Sequence, residues 1–232
     1  LVTGSSDVCS SDLIAGTGSN DTAAAINLTK QAKALGADAV LLVSPFYNKP
    51  TQRGLIAHFS AIADACDIPQ ILYNVPGRTA SNMLAETQLT LAETFKHIIA
   101  TKEASADLEQ IMEIIRNRPS HFTVLAGDDS LALPIIATGG HGVISVLSNY
   151  APTQFSACIT AALDGRWEEA RSLHYALFEL MKLNFIETNP IPVKGILSMM
   201  GICKEAYRLP MQPLLPENKE RLKLALKKAG IL

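Results

Sequence analysis

From Ile14 onward, the chain alternates between short continuous apolar runs and longer segments with apolar residues at helical spacing. Runs that are apolar at consecutive positions are typical of strands buried on both faces. One such run occurs about every 20–30 residues, which predicts a parallel sheet covered by helices and therefore an α/β fold. The predicted strands are 14–17, 39–43, 70–73, 98–102, 122–126 and 143–146.

Helices are predicted between these strands because apolar residues recur every three to four positions. The first helix begins at a cap, either Asn20 or Asp21, and ends at Gly36. The helix after residue 102 has Ser105 as its candidate cap and Asp107 in its first turn. Its apolar face is expected to comprise Leu108, Ile111, Met112 and Ile115.

Three regions of the chain differ in pattern. Residues 1–13 contain two copies of Ser-Ser-Asp and no helical or strand periodicity, so we interpret them as an artefactual, non-homologous segment; the alternative is a genuine disordered tail. Residues 14–151 contain six strand–helix units, two fewer than a closed (β/α)8 barrel needs. Residues 152–232 are predicted to be helical, with helices at 166–186, 191–200 and 217–229.

The composition is that of an ordinary globular protein, with 232 residues of which 48% are apolar and 18% charged. A formal net charge of −2 argues against nucleic acid or an anionic membrane as the main partner. No apolar run approaches the ~20 residues that span a bilayer, and we expect no signal peptide. The scattered cysteines indicate reduced thiols in a cytoplasmic protein: Cys9, Cys66, Cys158 and Cys203.

Lys102 lies at the carboxyl end of a predicted buried strand, where burying a charged lysine is energetically unfavourable unless the residue has a function. Burial lowers the pKa of an ammonium group from about 10.4, which supplies the neutral amine that a Schiff base needs. The alternative is a lysine that reaches into water or pairs with Glu103. Taken alone, the residue does not decide between these two interpretations.

Other chemistry-bearing residues also follow the strands, where a barrel or an open doubly wound sheet carries its site. Tyr73 ends the strand before that of Lys102, and a phenol beside an amine suits proton transfer; alternatively it is an aromatic residue at the barrel mouth. Arg78 is suited to clamp a substrate carboxylate, the alternative being an ion pair at the surface. Gly127 allows the backbone to approach a small ligand, and Tyr47 lies in a further loop.

Two other classes of site are disfavoured. Gly16-Thr17-Gly18 lacks the third glycine and the Lys-Ser/Thr pair of a phosphate-binding loop. The five histidines show no metal-ligand spacing, so no metal site is expected. Lys194, in a proline-rich connector, is interpreted as structural rather than as a second nucleophile.

Seven segments, in order along the chain, resemble the 4-hydroxy-tetrahydrodipicolinate synthase family, also called dihydrodipicolinate synthase. This family belongs to the pyruvate-dependent class I aldolases, which include N-acetylneuraminate lyase. The segments are 14–20 (IAGTGSN), 44–50 (SPFYNKP), 73–79 (YNVPGRT), 101–104 (TKEA), 127–129 (GDD), 139–145 (GGHGVIS) and 189–194 (NPIPVK).

The resemblance implies a TIM (β/α)8 barrel that lacks its first two βα units, with a C-terminal helical extension. Residues 14–151 would form the partial barrel, and residues 152–232 the last barrel helix and the helical extension. The two missing units would lie before Ile14. They carry the family's Gly-Thr-Thr-Gly-Glu motif, which supplies a relay threonine and binds the pyruvate carboxylate, and this motif is absent here.

The resemblance also implies an activity in lysine and diaminopimelate biosynthesis. Lys102 would form a Schiff base with pyruvate, and the resulting enamine would attack L-aspartate 4-semialdehyde. Tyr73 would transfer protons, and Arg78 would hold the carboxylate of the semialdehyde. No metal or organic cofactor is expected, because the imine itself is the electron sink.

Further residues take family roles by the same resemblance. Tyr47 would reach into the site of a neighbouring subunit, which implies a homotetramer built as a dimer of dimers. Gly127 and Ile144 would offer backbone contacts near Lys102. Feedback inhibition by lysine is left open, because Asn20 matches an effector contact whereas Phe46 and Ala24 replace the tyrosine and glutamate of some members.

Two alternatives remain at the level of sequence. One is a sister aldolase, such as N-acetylneuraminate lyase or a 2-keto-3-deoxy sugar acid aldolase; Arg78 favours the synthase, because a carboxylate clamp suits the semialdehyde better than a polyol. The other is a catalytically dead fragment, which the missing relay threonine would support.

Overall fold

The computed structural model describes residues 12–232, so residues 1–11 of the segment interpreted as artefactual lie outside the described part. The chain divides into two compact units. The first ends at Gly127 and also includes Thr138–His141, and the second comprises Asp128–Ala137 and Gly142–Leu232.

The first unit is built on parallel strands that pair in chain order, as the alternating pattern predicts. Its strands are β1 (Ile14–Gly16), β2 (Ala39–Val43), β3 (Gln70–Asn74), β4 (Ile98–Glu103) and β5 (Thr123–Ala126). Its helices are α1 (Thr22–Ala34), α2 (Gln52–Ala65), α3 (Pro76–Thr79), α4 (Ala85–Thr94) and α5 (Leu108–Asn117).

The core of this unit lies between the strands and the helices that follow them. In α2, Leu55, Phe59 and Ile62 recur at helical spacing and are completely buried. Leu42 and Leu72, which are register partners in β2 and β3, are buried as well. Each side chain of this size contributes about 1.5–3 kcal/mol of transfer free energy on burial, so the apolar pattern accounts for the packing of the unit.

Side-chain caps mark where α1 and α5 begin. Asp21, one of the two predicted candidates, caps α1 by accepting a hydrogen bond from the backbone N–H of Ala24 at 2.7 Å. The prediction that Ser105 caps α5 is wrong, because Asp107 accepts from the N–H of Gln110 at 3.0 Å instead. Ala106 has a φ of 62°, and this left-handed residue separates Ser105 from the helix.

The buried face of α5 also differs from the prediction. Ile111 and Ile114 are its buried residues, whereas Met112 is 42% exposed. At 100° per residue, Ile111 and Ile114 lie about 60° apart around the helix, and Met112 lies about 100° from Ile111 on the other side. The apolar stripe is therefore centred away from Met112.

The loop after β3 contains the one-turn helix α3. Pro76 is its first residue, where the fixed φ of proline suits a helix and its missing N–H is not needed. The helix ends at Thr79, and the residue that follows it, Ala80, has a φ of 57°. The following helix begins at Ala85.

The second unit is mainly helical, as predicted for the C-terminal part of the chain. Its elements are α6 (Ala132–Ala137), β6 (Gly142–Val143), α7 (Pro152–Leu163), α8 (Trp167–Leu183), α9 (Ile191–Met199) and α10 (Pro216–Lys228). Small side chains form part of its core, where Ala161, Ala162 and Ala170 pack with Ile136. Within residues 12–232, no helix is both long and apolar enough to cross a membrane.

The strand predicted at 143–146 is only two residues long, and the backbone shortly after it binds the carboxylate of Asp129. This side chain is buried and accepts hydrogen bonds from the backbone N–H groups of Val146, at 3.2 Å, and Leu147, at 2.7 Å. These donors are then no longer available to a strand partner. The chain turns at this point into a short 3-10 helix, Leu147–Asn149.

Candidate active site

Lys102 and Tyr73 lie together at the carboxyl ends of β4 and β3. The strand register pairs Tyr73 with Lys102 directly. The Nζ atom of Lys102 lies 4.2 Å from the centroid of the Tyr73 ring, and both residues are half-buried. Sequence reasoning predicts this proximity, because consecutive parallel strands end at the same edge of a sheet. The pair places an amine and a phenol within reach of one small ligand.

The environment of Tyr73 keeps its hydroxyl group protonated near neutral pH. Burial raises the pKa of the phenol, while the positive charge of Arg78 lowers it by a smaller amount. The net direction is upward from the usual value of about 10. Tyr73 is therefore suited to donate a proton and to take it back, rather than to stand as a phenolate.

Arg78 is carried by α3, five residues after Tyr73 along the chain. Its side chain is exposed, and within residues 12–232 no carboxylate forms an ion pair with it. The alternative of a surface ion pair is thus not what the structure shows. The guanidinium is near enough to Tyr73 to influence the pKa of the phenol and presents its donors to solvent.

Tyr47 lies in the loop after β2 and is 88% exposed, so its ring is not packed against Tyr73. Its φ is 73°, which is a strained conformation for a residue with a side chain. The backbone N–H of Tyr47 donates to the carbonyl oxygen of Thr79 at 3.4 Å, which ties this loop to the end of α3. The loop of Tyr47 and the helix of Arg78 are consequently neighbours.

Gly127 follows β5 and lies close to the end of β4. Its N–H donates to the carbonyl oxygen of Glu103 at 2.8 Å. A Cβ atom at this position would lie 2.6 Å from the Cβ of Ala104, so only glycine fits. The structure therefore gives a packing reason for this glycine, whereas its predicted contact with a ligand stays a prediction.

The two remaining residues singled out in the sequence belong to the second unit. Ile144 directly follows β6 and is half-buried. Lys194 lies in α9 with its Nζ 5.4 Å from the centroid of the Tyr207 ring. This cation–π contact gives Lys194 a structural partner.

No group of three or more His, Cys, Asp or Glu side chains within residues 12–232 is arranged to hold a metal ion. His58 illustrates how the histidines are used instead. Its Nδ1 lies 2.9 Å from the hydroxyl oxygen of Thr22, and burial lowers the pKa of its ring. This histidine is a buried, hydrogen-bonded side chain in the packing of α1 and α2.

Sequence reasoning missed the hydrogen bonding between Asn74 and Glu103, which directly follow Tyr73 and Lys102. Both side chains are buried, and Asn74 Nδ2 donates to Glu103 Oε1 at 3.0 Å. The signal in the sequence was a polar residue at the end of each of two neighbouring apolar strands. Its meaning depends on partners from other elements, which the sequence does not bring together.

Comparison with known proteins gives a consistent result. The sequence matches the dihydrodipicolinate synthetase family over residues 9–229. It is 51% identical to the 4-hydroxy-tetrahydrodipicolinate synthase of Koribacter versatilis, over 95% of this chain and 73% of that protein. The fold is similar to the crystal structure of dihydrodipicolinate synthase from Aquifex aeolicus, with 47% sequence identity and a TM-score of 0.93 over 95% of this chain and 75% of that chain. It is also similar to the crystal structure of the chloride-inhibited dihydrodipicolinate synthase from Acinetobacter baumannii complexed with pyruvate, with 44% sequence identity and a TM-score of 0.92 over 95% of this chain and 76% of that chain.

Proposed function

Because the chain belongs to the dihydrodipicolinate synthetase family, we propose that it is a lyase acting as a 4-hydroxy-tetrahydrodipicolinate synthase. Its substrates are pyruvate and L-aspartate 4-semialdehyde, and its product enters lysine and diaminopimelate biosynthesis. The observation that carries the proposal is the paired Lys102 and Tyr73, with Nζ 4.2 Å from the centroid of the ring. An amine beside a protonated phenol is what imine chemistry needs.

The chemistry begins with the neutral amine of Lys102, which attacks the ketone carbon of pyruvate. The carbinolamine loses one water to give the Schiff base, and loss of a methyl proton gives the enamine. The enamine carbon then forms the new bond to the aldehyde carbon of the semialdehyde. We assign the proton transfers to the hydroxyl group of Tyr73, which burial keeps in its protonated form by raising its pKa. Neither a metal nor an organic cofactor is part of this proposal.

Substrate binding is assigned to the groups around this pair. Arg78, exposed and with its donors presented to solvent, holds the carboxylate of the semialdehyde. Gly127 and Ile144 offer backbone contacts to the substrates. The exposed ring of Tyr47 completes the site of a neighbouring subunit in a homotetramer, and its high exposure and positive φ support this assignment.

We also propose that the described strands are six of the eight strands of a TIM barrel. Residues 14–151 then form the barrel part of this chain, and residues 152–232 the last barrel helix and a helical extension. The parallel strand order in the first unit and the TM-scores above 0.9 support this view. A cytoplasmic location is proposed from the free thiols of Cys66, Cys158 and Cys203.

The test compares two reactions of the purified protein. Condensation of pyruvate with L-aspartate 4-semialdehyde is followed by coupled reduction of the product, and cleavage of N-acetylneuraminate and of 2-keto-3-deoxy sugar acids is followed by release of pyruvate. We expect condensation and no cleavage, because Arg78 suits a carboxylate better than a polyol. Cleavage without condensation would assign the chain to a sister aldolase, and the absence of both would mark it as inactive.

A further inference from the structure

The side chain of Glu103 is almost completely buried although it carries a carboxylate. It is the last residue of β4, directly after Lys102, and it is 1% exposed. Its two oxygen atoms accept five hydrogen bonds, all from uncharged donors. These donors are Asn74 Nδ2 (3.0 Å to Oε1 and 3.1 Å to Oε2), Ser105 N (2.9 Å), Gln88 Nε2 (2.8 Å) and Gln110 Nε2 (3.2 Å).

This carboxylate lies behind the reactive pair. Asn74 and Glu103 are register partners, one position beyond Tyr73 and Lys102. Successive side chains of a strand point to opposite faces, so the amide and the carboxylate occupy the face opposite to the phenol and the amine. A bond between Asn74 and Glu103 therefore fixes the two strand ends that carry the reactive groups, without touching those groups.

The same network holds the segment that follows Arg78. The Oδ1 of Asn74 accepts from the backbone N–H of Met83 at 2.9 Å, and its Nδ2 donates to Asn82 Oδ1 at 2.8 Å. Gln88 and Gln110, both bound to Glu103, also donate to the carbonyl oxygen of Met83. One carboxylate thus links the ends of β3 and β4 to the connection that leaves α3.

We propose that Glu103, acting through Asn74, is a positioning residue that holds Lys102 Nζ over the Tyr73 ring for imine formation. A carboxylate suits this position because it only accepts hydrogen bonds, and each of the groups hydrogen-bonded to it is a donor. A glutamine of the same shape would turn its NH₂ group toward donors and leave some of them unpaired. The inference rests on the proposed function, in which Lys102 and Tyr73 are the reacting groups.

The test uses Glu103→Gln with a matched control, Gln52→Leu. Gln52 holds the same segment from the side of α2: its Nε2 donates to the carbonyl oxygen of Asn82 at 2.8 Å, and its Oε1 accepts from the N–H of Leu84 at 3.1 Å. It has no hydrogen bond with Glu103 or Asn74. The control therefore loosens the segment but leaves the cross-strand pair intact.

The rate of imine formation is measured by trapping with borohydride over a range of pyruvate concentrations. We expect Glu103→Gln to lower the maximal trapping rate at least tenfold and to change the half-saturating pyruvate concentration less than threefold, because small misplacements of reacting atoms are costly in rate. Gln52→Leu should keep the maximal rate within twofold of wild type. Glu103→Asp, which retains an acceptor-only group, should recover part of the lost rate.

Equal loss of rate in Glu103→Gln and Gln52→Leu, at matched thermal stability, would show that Glu103 is merely structural and would overturn the inference. If Glu103→Gln does not fold, Gln110→Leu removes one donor from the half-buried edge of the network and should give a smaller loss in the same direction. An unchanged rate in that variant would also overturn it.

A second readout separates this inference from the proposed function. Acetic anhydride acylates Lys102 without any pyruvate, and peptide mass spectrometry gives its rate relative to the exposed Lys96. We expect Glu103→Gln to raise this ratio at least threefold, since Lys102 is released from its place over the ring, and Gln52→Leu to leave it unchanged. If wild type forms no pyruvate adduct, the proposed function fails, while an unchanged ratio in Glu103→Gln refutes the positioning role.

Discussion

The two faces of the β3–β4 strand pair carry side chains with different roles, although these side chains belong to adjacent residues. One face carries Tyr73 and Lys102, which are half-buried and within 4.2 Å of each other, measured from Nζ to the ring centroid. The opposite face carries Asn74 and Glu103, which are buried and joined by hydrogen bonds. Because side chains alternate between the two faces of a strand, the reactive residues and the residues that anchor the strand ends are adjacent in sequence but lie on opposite faces. Reactive groups stay accessible while their backbone is fixed from behind.

The largest expected effect comes from Lys102→Arg on the reactive face. Arginine keeps the positive charge and the approximate length, but it is not deprotonated in proteins and so cannot attack a carbonyl group. We expect condensation activity to fall by more than about a thousandfold, with little change in the thermal unfolding temperature. Steady-state kinetics and a thermal melt measure the two quantities. An arginine variant with substantial activity would remove Lys102 from the mechanism.

Tyr73→Phe removes only a hydroxyl group from the same face. Because positioned proton transfer contributes about 10²–10⁴ to a rate, we expect kcat to fall within that range. The aromatic ring under Lys102 Nζ remains, so the free energy of unfolding should change by less than about 1 kcal/mol. The measurement is kcat together with urea denaturation. A kcat within threefold of wild type would show that the phenol is not the proton donor.

Asn74→Leu removes hydrogen bonds on the opposite face of the strand pair. It removes a donor from Glu103 and leaves the N–H of Met83 without its acceptor, so we expect the free energy of unfolding to fall by about 1–3 kcal/mol. The matched control is Asn48→Leu, which removes an exposed amide that donates to the carbonyl oxygen of Asn20. Urea denaturation should show a change within about 0.5 kcal/mol for the control. Similar losses in both variants would contradict the anchoring role of this face.

A second buried carboxylate, that of Asp129, is expected to make the stability of the protein depend on pH. Burial raises the pKa of Asp129 above its usual value of 3.8, although the hydrogen bonds from Ser145, Leu147 and Val146 lower it in part. A raised pKa in the folded state means that stability is fully present below the unfolded pKa and is lost as pH rises through the folded value.

The asparagine side chain in Asp129→Asn does not titrate. The free energy of unfolding of this variant, relative to that of wild type, should therefore increase as pH rises from below 3.8 through the raised pKa of Asp129. Urea denaturation at several pH values between 3 and 7 measures this difference, with the exposed Asp64→Asn as control. A difference that is flat with pH, or that runs in the opposite direction, would show that the folded carboxyl is not harder to ionise than the unfolded one.

Residues whose role depends on their own strand were predictable from the sequence, and residues whose role depends on distant donors were not. Apolar runs ending in Tyr73 and Lys102 sufficed to place an amine beside a phenol. The anchoring role of Glu103 requires Gln88 and Gln110, which come from two separate helices. The backbone after β6 is a second example, since the carboxylate of Asp129 accepts from the N–H groups of Val146 and Leu147, which are distant from it in the sequence.

Local competition between caps explains the error at α5. Ser105 and Asp107 both precede the helix and both are good caps, so sequence alone does not choose between them. The left-handed Ala106 decides the matter, because it turns the chain after Ser105 and leaves Asp107 at the cap position. The start of the helix then follows from the backbone conformation of one alanine.

The central claim is that Lys102 is the group that binds pyruvate covalently. The most direct measurement is to incubate the protein with pyruvate, reduce it with borohydride, digest it and locate the modified peptide by mass spectrometry. We predict one reduced pyruvate adduct, on Lys102. An adduct on Lys194 instead, or an unmodified Lys102 after complete reduction, would contradict this account.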